Sequence, residues 1–332
     1  MGSSDTSTAR WAILGAGGIS RDFAAGLRHA QRGRLHAVGA RDAAAARAFA
    51  DEHGADIAGT YDEVIARDDI DAVYIGTVHT THAELAIAAL EAGKGVLCEK
   101  PLTATPADTD AVLDVAARTG MPLLEAFKYR FGPFPTALAE LIAGGALGAV
   151  QRVDAELGFA AAERTGRLFD PAVAGGAILD VGCYPVSLAV GVAAWAGAPV
   201  EQAAVVDATG VIGPTGVDET ATASLRIGGV DAHVHTSIVE PTPRAARITG
   251  DEAVLEIPNA WGSRTASTDT ATLRRADGSV ETLTFGTVEP MAAEADAVIL
   301  ALLEGRTEVP EMPWVQTRAV ARLLADWRAG LG

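Results

Sequence analysis

Residues 95–101, Gly-Val-Leu-Cys-Glu-Lys-Pro, place a carboxylate and an ammonium directly after a short apolar run. Pro101 cannot donate to a sheet ladder, so a strand formed by this run must end there. Lys100 is one of only three lysines, although the chain has 26 Lys and Arg residues in all. Lysine is the basic residue whose proton affinity a protein can tune for chemistry. The stretch therefore suggests a catalytic lysine at a strand end, with a solvated Glu-Lys ion pair as the alternative.

A second candidate pair, Asp180 and Tyr184, lies on an apolar segment that we predict to be one long helix from Gly176 to Trp195. Residues four apart share one face of a helix. In the functional interpretation Tyr184 is a proton donor or acceptor and Asp180 is a polar anchor. In the structural alternative the aspartate favours the helix dipole and the tyrosine lies at an interface.

A glycine-rich turn near the start of the chain predicts a dinucleotide site. A short apolar strand, Arg10–Leu14, runs directly into Gly15-Ala16-Gly17-Gly18-Ile19-Ser20, and a helical pattern follows. Glycines in such a turn let backbone amides approach a pyrophosphate at the helix N-terminus. Ser20 replaces the third glycine of the fingerprint and is still small enough for close packing of helix on strand. The predicted cofactor-binding residues of this turn are Gly15, Gly17, Gly18, Ile19 and Ser20.

The end of the second predicted strand, Arg34–Ala40, favours NADP over NAD. NAD sites usually have an acidic residue there that binds the ribose 2′-hydroxyl. Here Arg41 comes first, and its guanidinium can pair with a 2′-phosphate. We expect the next residue, Asp42, to cap the following helix, Ala43–Glu52. NAD is the alternative cofactor.

A further turn, Gly76-Thr77-Val78-His79-Thr80-Thr81-His82, follows a predicted strand at Ala72–Ile75. We expect Thr77, His79 and His82 on the cofactor side, because this turn lies at the same edge of the sheet. A metal site is not expected, since no acidic or third histidine ligand has a matching spacing. Glu99 and Lys100 end a parallel strand of the same sheet, so they are also expected to contact the cofactor.

The order of predicted elements divides the chain into two domains. Strands and helices alternate up to a strand at Met121–Glu125, which predicts a doubly wound parallel sheet in residues 1–126, with residues 1–9 disordered. Residues 127–332 contain a run of strands without intervening helices, which predicts an α+β domain with a large, open, mostly antiparallel sheet. Two helices, Pro290–Glu304 and Thr317–Ala329, are predicted to end the chain.

Composition restricts the possible partners and the compartment. A net charge of −17 argues against nucleic acid and anionic membrane surfaces, which need basic patches. We expect no membrane span, since no apolar run reaches about 18 residues. The first nine residues lack the features of a signal peptide, and the chain has only two cysteines, Cys98 and Cys183. A cytoplasmic protein is therefore expected.

Together these motifs resemble the Gfo/Idh/MocA oxidoreductases over nearly the whole chain, and in particular the group of dimeric dihydrodiol dehydrogenases and NADP-dependent D-xylose dehydrogenases. The matching stretches are residues 93–102, residues 175–185, Glu289-Pro290-Met291 and Met312-Pro313-Trp314. Tyr184 fits this group, whereas many sugar and inositol dehydrogenases of the family have histidine there. At Val78-His79 the sequence differs from many relatives, which have a proline or an asparagine after the position of Thr77. This difference concerns only the loop that the resemblance places beside the nicotinamide.

The resemblance implies an N-terminal Rossmann domain and reversible hydride transfer between a nicotinamide and a carbinol carbon. It implies that Lys100 stabilises charge on the substrate oxygen, that Lys100 or Tyr184 gives the proton, and that Asp180 orients the lysine or the substrate hydroxyls. We expect the Lys100 ammonium to lower the pKa of Tyr184, and burial to lower the pKa of Lys100.

For the substrate the resemblance implies a sugar or polyol, with dihydrodiols and dicarbonyls as further classes, and for assembly a homodimer formed through the second sheet. Candidates for the substrate wall are Tyr129, Arg130, Phe169, His235 and Trp261. The alternative function is that of a non-catalytic NAD(P)-binding regulator with the same fold.

Overall fold

The first part of the chain forms a six-stranded parallel sheet in the order β3-β2-β1-β4-β5-β6. In the computed structural model, which describes residues 8–262, 268–286 and 288–331, its strands are β1 (Ala9–Leu14), β2 (Gly33–Gly39), β3 (Ile57–Gly59), β4 (Ala72–Ile75), β5 (Gly95–Glu99) and β6 (Leu123–Ala126). The strand order reverses between β1 and β4, and ligands of open α/β sheets bind in the crevice at such a switch point.

Helices connect these strands, and side chains cap some of them at their N-termini. The helices are α1 (Gly18–Leu27), α2 (Ala43–His53), α3 (Tyr61–Ile65), α4 (His82–Glu91) and α5 (Pro106–Thr119). The Asp42 carboxylate accepts the amide of Ala44 at 2.9 Å, which confirms the predicted cap of α2. Thr105 caps α5, and Pro106 occupies its first turn.

Two details of the first domain differ from the sequence predictions. Strand β3 has only three residues and was not predicted, because a run so short carries no readable alternation. Ala9 is the first residue of β1, so the expectation of disorder is wrong for this residue; residues 1–7 lie outside the described residues. Strand β6 ends at Ala126, where we place the end of the first domain.

The second sheet has eight strands in the order β14-β13-β12-β11-β7-β10-β9-β8. Its strands are β7 (Val150–Gly158), β8 (Ala204–Ile212), β9 (Asp218–Ile227), β10 (Val230–Ser237), β11 (Ala246–Gly250), β12 (Ala253–Ile257), β13 (Thr268–Arg275) and β14 (Val280–Gly286). Strands β7 and β10 pair in parallel, and every other pair is antiparallel. This confirms the predicted large, mostly antiparallel sheet. Strand β8 is preceded by a 3₁₀ turn at Val200–Gln202.

The predicted long helix Gly176–Trp195 consists of two different helices. Ile178–Gly182 is a π-helix, and α7 (Cys183–Trp195) continues from it. The helical stretch Pro171–Trp195 is long and apolar enough to cross a membrane by length and composition, but 89% of its most apolar window is buried inside the protein. It packs between the second sheet and the last helix, as the core helix of a folded domain does.

The remaining helices link the two sheets. They are α6 (Pro133–Ala143), α8 (Pro290–Leu303) and α9 (Trp314–Ala329), and single 3₁₀ turns occur at His79–Thr81, Lys128–Arg130, Arg167–Phe169 and Pro171–Val173. Helix α8 packs on α1 and β5, and α9 packs on both α5 and α7. The indole of Trp314 donates to the carbonyl of Leu123 in β6 at 3.1 Å. The C-terminal helices therefore cover part of the first sheet.

Candidate active site

A cleft of about 1160 Å³ lies at the carboxyl ends of the parallel strands. One wall is made by the residues that follow β1, β2, β4 and β5, and the other by the end of β7, the π-helix and the loop after β12. All but one of the predicted site residues line it: Gly15, Gly17, Gly18, Ile19, Arg41, Thr77, His79, His82, Glu99, Lys100, Asp180 and Tyr184.

The glycine turn combines one strained backbone position with two open ones. Gly15 has a φ of +105°, and a Cβ there would lie 2.9 Å from the carbonyl oxygen of Gly76. A Cβ on Gly17 would come no closer than 3.9 Å to any neighbour, and one on Gly18 would meet nothing within 4 Å. The free space therefore lies over the N-terminus of α1, where backbone amides and the helix dipole favour a phosphate.

Ser20 is the one predicted residue that does not line the cleft. It is fully buried, and its hydroxyl lies 3.5 Å from the carbonyl oxygen of Gly76. A Cβ on Gly76 would lie 2.5 Å from the same hydroxyl, so the serine packs tightly behind the turn. This placement fits the helix–strand packing that we expect of the position, rather than contact with a cofactor.

The residues present fit an adenine dinucleotide with a 2′-phosphate. Exposed Arg41 follows β2 on the cleft wall, while Asp42 is occupied in capping α2. Because the Asp42 carboxylate is bonded to the Ala44 amide, the Arg41 guanidinium is the charged group at the end of β2 that could bind a ribose 2′-substituent. Together with the open space at Gly17 and Gly18, this arrangement suits NADP.

His79 and His82 line the cleft but direct their ring nitrogens to backbone carbonyls. In His79, Nδ1 lies 3.2 Å from the carbonyl of Ala174, and in His82, Nδ1 lies 3.1 Å from that of Pro101. Burial lowers the pKa of His79 to about 3 and the pKa of His82 to about 4, so both rings are neutral near pH 7. Through its contact with the carbonyl of Pro101, His82 connects the loop after Lys100 to the loop after β4.

Lys100, Asp180 and Tyr184 meet in the cleft, where the two domains face each other. The Lys100 ammonium donates to the main-chain carbonyl of Asp180 at 2.7 Å, and it lies 5.1 Å from the centroid of the Tyr184 ring. The Asp180 carboxylate instead accepts from Arg167 Nη1 at 2.7 Å. The peptide bond between Lys100 and Pro101 is cis. The aspartate thus anchors the lysine by its backbone and holds an arginine by its side chain.

The expected directions of two pKa shifts are wrong. Burial lowers the pKa of Lys100, but the anionic forms of Cys183 and Tyr184 and the carboxylates of Asp180 and Glu99 raise it above its ordinary value. Burial also raises the pKa of Tyr184, and this outweighs the lowering effect of the Lys100 ammonium. Near neutral pH the pair is therefore an ammonium beside a neutral phenol.

The Asp180 and Glu99 carboxyl groups shift in opposite directions. Burial would raise the pKa of Asp180, but the charges of Lys100 and Arg167 lower it overall. Burial raises the pKa of Glu99 despite its neighbours. The Glu99 carboxylate accepts the hydroxyl of Tyr74 at 2.8 Å and the backbone amide of Lys100 at 3.3 Å, so Glu99 fixes the start of the lysine loop.

Of the five candidates for the substrate wall, only Trp261 lines the cleft. Its ring centroid lies 5.8 Å from that of Tyr184, and its indole donates to the carbonyl of Glu156 at 2.9 Å. Tyr129, Arg130 and Phe169 are buried outside the cleft wall, and Arg130 binds Gln316 on α9. His235 lies on the other face of the second sheet, bonded to Thr222 at 2.8 Å.

Sequence reasoning missed several residues of the second domain that line the cleft. They are Lys128, Leu157, Gly158, Phe159, Arg167, Leu168, Val181, Arg244, Asn259 and Gly262. Most lie in loops after β7, β10 and β12, where no periodicity marks them. The one usable signal is that Lys128 is among the three lysines of the chain. In the described part of the chain, no group of three or more His, Cys, Asp or Glu side chains could hold a metal ion.

Comparison with known proteins gives relatives of similar length. Residues 9–127 match the model of an oxidoreductase family with an NAD-binding Rossmann fold, and residues 136–256 match the GFO/IDH/MocA C-terminal domain. The chain is 32% identical over 329 residues to the trans-1,2-dihydrobenzene-1,2-diol dehydrogenase of Xenopus tropicalis, covering 97% of this chain and 98% of the relative. It is 36% identical over 298 residues to the D-xylose 1-dehydrogenase (NADP(+)) 2 of Haloferax volcanii, covering 89% of each.

Solved structures support the fold. The 3-ketoreductase KijD10 from Actinomadura kijaniata, solved with NADP and TDP-benzene, superposes with a TM-score of 0.87 at 24% identity over 98% of each chain. The aldose-aldose oxidoreductase from Caulobacter crescentus, solved with glycerol, gives 0.84 at 23% identity over 98% of each chain. The two family models together match most of the chain, and relatives more than 30% identical cover nearly all of it, so the chain belongs to the Gfo/Idh/MocA oxidoreductase family.

Proposed function

We propose that this protein transfers a hydride between NADP(H) and the carbinol or carbonyl carbon of a sugar, polyol, dihydrodiol or dicarbonyl, with Lys100 and Tyr184 managing the proton. The observation that carries the proposal is the meeting of these two side chains in the cleft that begins at the glycine turn. Relatives named as dihydrodiol and xylose dehydrogenases support the substrate classes.

The cofactor would lie along the first sheet. The N-terminus of α1 would hold its pyrophosphate above Gly17 and Gly18, and Arg41 would hold the 2′-phosphate. When bound, the nicotinamide supplies or accepts the hydride. Glu99 would position the nicotinamide ribose or Lys100, since its carboxylate is already fixed by Tyr74 and by the Lys100 amide.

Reduction of a carbonyl builds negative charge on the substrate oxygen. The Lys100 ammonium, held by the Asp180 carbonyl, would stabilise that charge. The phenol of Tyr184, neutral because its pKa is raised, would then give its proton to the alkoxide. In the oxidative direction the phenolate form of Tyr184 would take the proton from the substrate hydroxyl, and the Lys100 ammonium would stabilise the phenolate and the developing alkoxide.

The decisive experiment is a panel of aldoses, inositols, diols and dicarbonyls with NADP(H) and NAD(H), followed by absorbance of the nicotinamide. With the best substrate, Lys100→Met and Tyr184→Phe should each lower kcat by about a hundredfold or more. Binding of NADPH, followed by its fluorescence, should persist in both variants and shows that they are folded.

Two results would contradict this proposal. If both variants retain nearly full kcat, the assignment of the proton to this pair is wrong. If NADP(H) binds but no member of the panel is turned over, the result favours the alternative function, that of a non-catalytic regulator that binds NADP(H).

A further inference from the structure

The substrate end of the cleft, meaning the part lined by Lys100 and by residues of the second domain, has a charge opposite to that of the whole chain. The chain carries a net charge of −17. Among the residues that the structure describes, the charged side chains that line this end are the cationic Lys100, Lys128, Arg167 and Arg244 and the acidic Glu99 and Asp180. The two histidines of the cleft are neutral, since their pKa values are lowered to about 3 and about 4. Cations therefore predominate where a substrate would enter.

The two carboxyl groups are already engaged on one side of this end. Asp180 pairs with Arg167 at 2.7 Å and holds Lys100 by its carbonyl. Glu99 accepts the hydroxyl of Tyr74, on the side of the first sheet. None of these contacts involves a residue of the loops that follow β10 and β12.

Arg244 lies on that opposite side, in the exposed loop between β10 and β11. Its Nε donates to the side-chain oxygen of Asn259 at 3.1 Å, and its Nη2 donates to the carbonyl of Gly262 at 3.4 Å. Both acceptors are uncharged, and within the described residues no carboxylate pairs with Arg244. These two bonds orient the guanidinium and leave its charge unneutralised on the cleft wall.

We propose that the substrate carries an anionic group, a carboxylate or a phosphoryl group, which Arg244 binds while the reacting carbon lies beside Lys100 and Tyr184. The planar fork of a guanidinium matches both groups, and charge-assisted hydrogen bonds are the strong ones. Trp261 is buried next to Gly262, and its ring centroid lies 5.8 Å from that of Tyr184, so it connects the loop that orients Arg244 with the Lys100–Tyr184 pair. This inference rests on the proposed function and specifies its substrate class.

The first test compares three probes that share a pyranose ring: D-glucose, D-glucuronate and D-glucose 6-phosphate, each with NADP. At least one anionic probe should exceed D-glucose in kcat/KM by about tenfold, the effect of one charge-assisted hydrogen bond. Calorimetry on the NADP-loaded protein gives the same comparison for binding, without turnover. Preference for D-glucuronate identifies a carboxylate, and preference for D-glucose 6-phosphate identifies a phosphoryl group.

The second test assigns the preference to Arg244. The variant Arg244→Gln should raise the KM or Kd of the preferred anionic probe about tenfold more than that of D-glucose, and Arg244→Lys should restore part of the preference. Arg226→Gln is the matched control, because Arg226 pairs with Asp231 on the second sheet outside the cleft. This control should keep the preference of the unmodified protein.

The possible failures are distinguishable. Equal or better binding of D-glucose, or no binding of either anionic probe, overturns the inference alone. An equal loss for charged and neutral probes in Arg244→Gln also overturns it. Absence of turnover across the whole panel of aldoses, inositols, diols and dicarbonyls, with NADP still bound, instead counts against the proposed function.

Discussion

Lys100 and Tyr184 share one buried corner of the cleft, and each affects the proton of the other. The ammonium lies over the phenol ring at 5.1 Å rather than at the end of a hydrogen bond to it. Such a cation–π contact favours the charged lysine without requiring an ionised tyrosine. Under the proposed mechanism, this geometry favours the lysine as an electrostatic partner and the tyrosine as the acid, of the two proton donors that the sequence leaves open.

The pH dependence of carbonyl reduction should follow from this assignment. The pKa of Tyr184 is raised above its ordinary value of 10.0, so the phenol stays protonated through neutral pH. We expect kcat for reduction to be flat from about pH 6 to pH 9 and to fall only at higher pH. Initial rates with NADPH across this range test the expectation, and a fall centred near neutral pH would contradict it.

Arg41 should set the preference for NADP. Removing its guanidinium in Arg41→Ser should weaken NADP by about tenfold, the effect of one charge-assisted hydrogen bond at an exposed position, and leave NAD unchanged. Titration of NADPH and NADH by fluorescence measures both. Arg47→Ser is the matched control, since Arg47 is an exposed arginine of α2 paired with Asp51. Equal weakening of both cofactors in Arg41→Ser would contradict the assignment.

Glu125 should make the stability of the protein depend on pH. It is buried at the end of β6 and accepts the amide of Leu102 at 2.9 Å. Burial raises its pKa to about 7 from an ordinary value of 4.5, against the opposing effects of the Leu102 amide and the Thr317 hydroxyl. The stability that this group contributes is thus fully present below about pH 4.5 and is lost as the pH rises through 7.

The neutral variant Glu125→Gln removes this titration. The unmodified protein loses stability as Glu125 ionises, and the variant does not. The unfolding free energy of the variant minus that of the unmodified protein should therefore rise by up to about 3 kcal/mol from pH 5 to pH 8. Urea unfolding of both proteins at the two pH values measures the change. A constant difference at both values would show that Glu125 does not titrate in this range.

At the scale of elements, the glycine turn and the start of α1 form the end of the cleft where we expect the cofactor pyrophosphate. Gly18 offers a direct test, because a Cβ there would meet nothing within 4 Å and would project into the open space of the cleft. Gly18→Ala should fold normally and bind NADP about tenfold more weakly, since the backbone could no longer approach the pyrophosphate.

Gly229→Ala is the matched control for that substitution. Gly229 lies in the turn between β9 and β10, and a Cβ there also meets nothing within 4 Å. Both variants should therefore keep the thermal stability of the unmodified protein, and only Gly18→Ala should affect NADP. Unchanged NADP binding in Gly18→Ala would mean that the pyrophosphate does not lie over this residue.

The longer strands were predictable from the sequence and the loops were not, for a physical reason. A strand or a helix repeats its buried positions, so β1, β5 and α7 are readable from their apolar residues. Arg167 and Arg244 lie in loops without a repeat, and their partners Asp180 and Asn259 are 13 and 15 residues away. Such contacts depend on the tertiary fold, which no local pattern encodes.

The π-helix was missed because its composition is that of an α-helix. Ile178, Leu179 and Val181 are apolar and buried in both, and the wider turn adds only one residue to a regular repeat. The consequence lies in the site: the segment presents the carbonyl of Asp180 to Lys100 at 2.7 Å. A π-turn leaves backbone groups less regularly paired than an α-helix does, and such turns are frequent at functional sites.

At the scale of the whole molecule, we propose a homodimer formed through the outer face of the second sheet. That face has a hollow of about 510 Å³ lined by residues such as Thr222 and His235. Light scattering after gel filtration should give twice the chain mass of 34.0 kDa. Thr222→Arg should shift the mass toward that of one chain, because it places a charge in the hollow. A monomeric mass for the unmodified protein would contradict the proposal.

The packing of α8 and α9 on the first sheet has a consequence for recombination between relatives. The nucleotide-binding unit is continuous in space but not in sequence, since the Trp314 indole is bonded to β6 from the far end of the chain. A chimera that exchanges residues 1–126 alone would pair one parent's sheet with the other parent's closing helices. Exchanging residues 290–329 together with them keeps α8 on α1 and α9 on α5, but it separates α9 from α7. Because α9 contacts elements of both halves of the chain, the two domains are interlocked rather than joined as two modules in series.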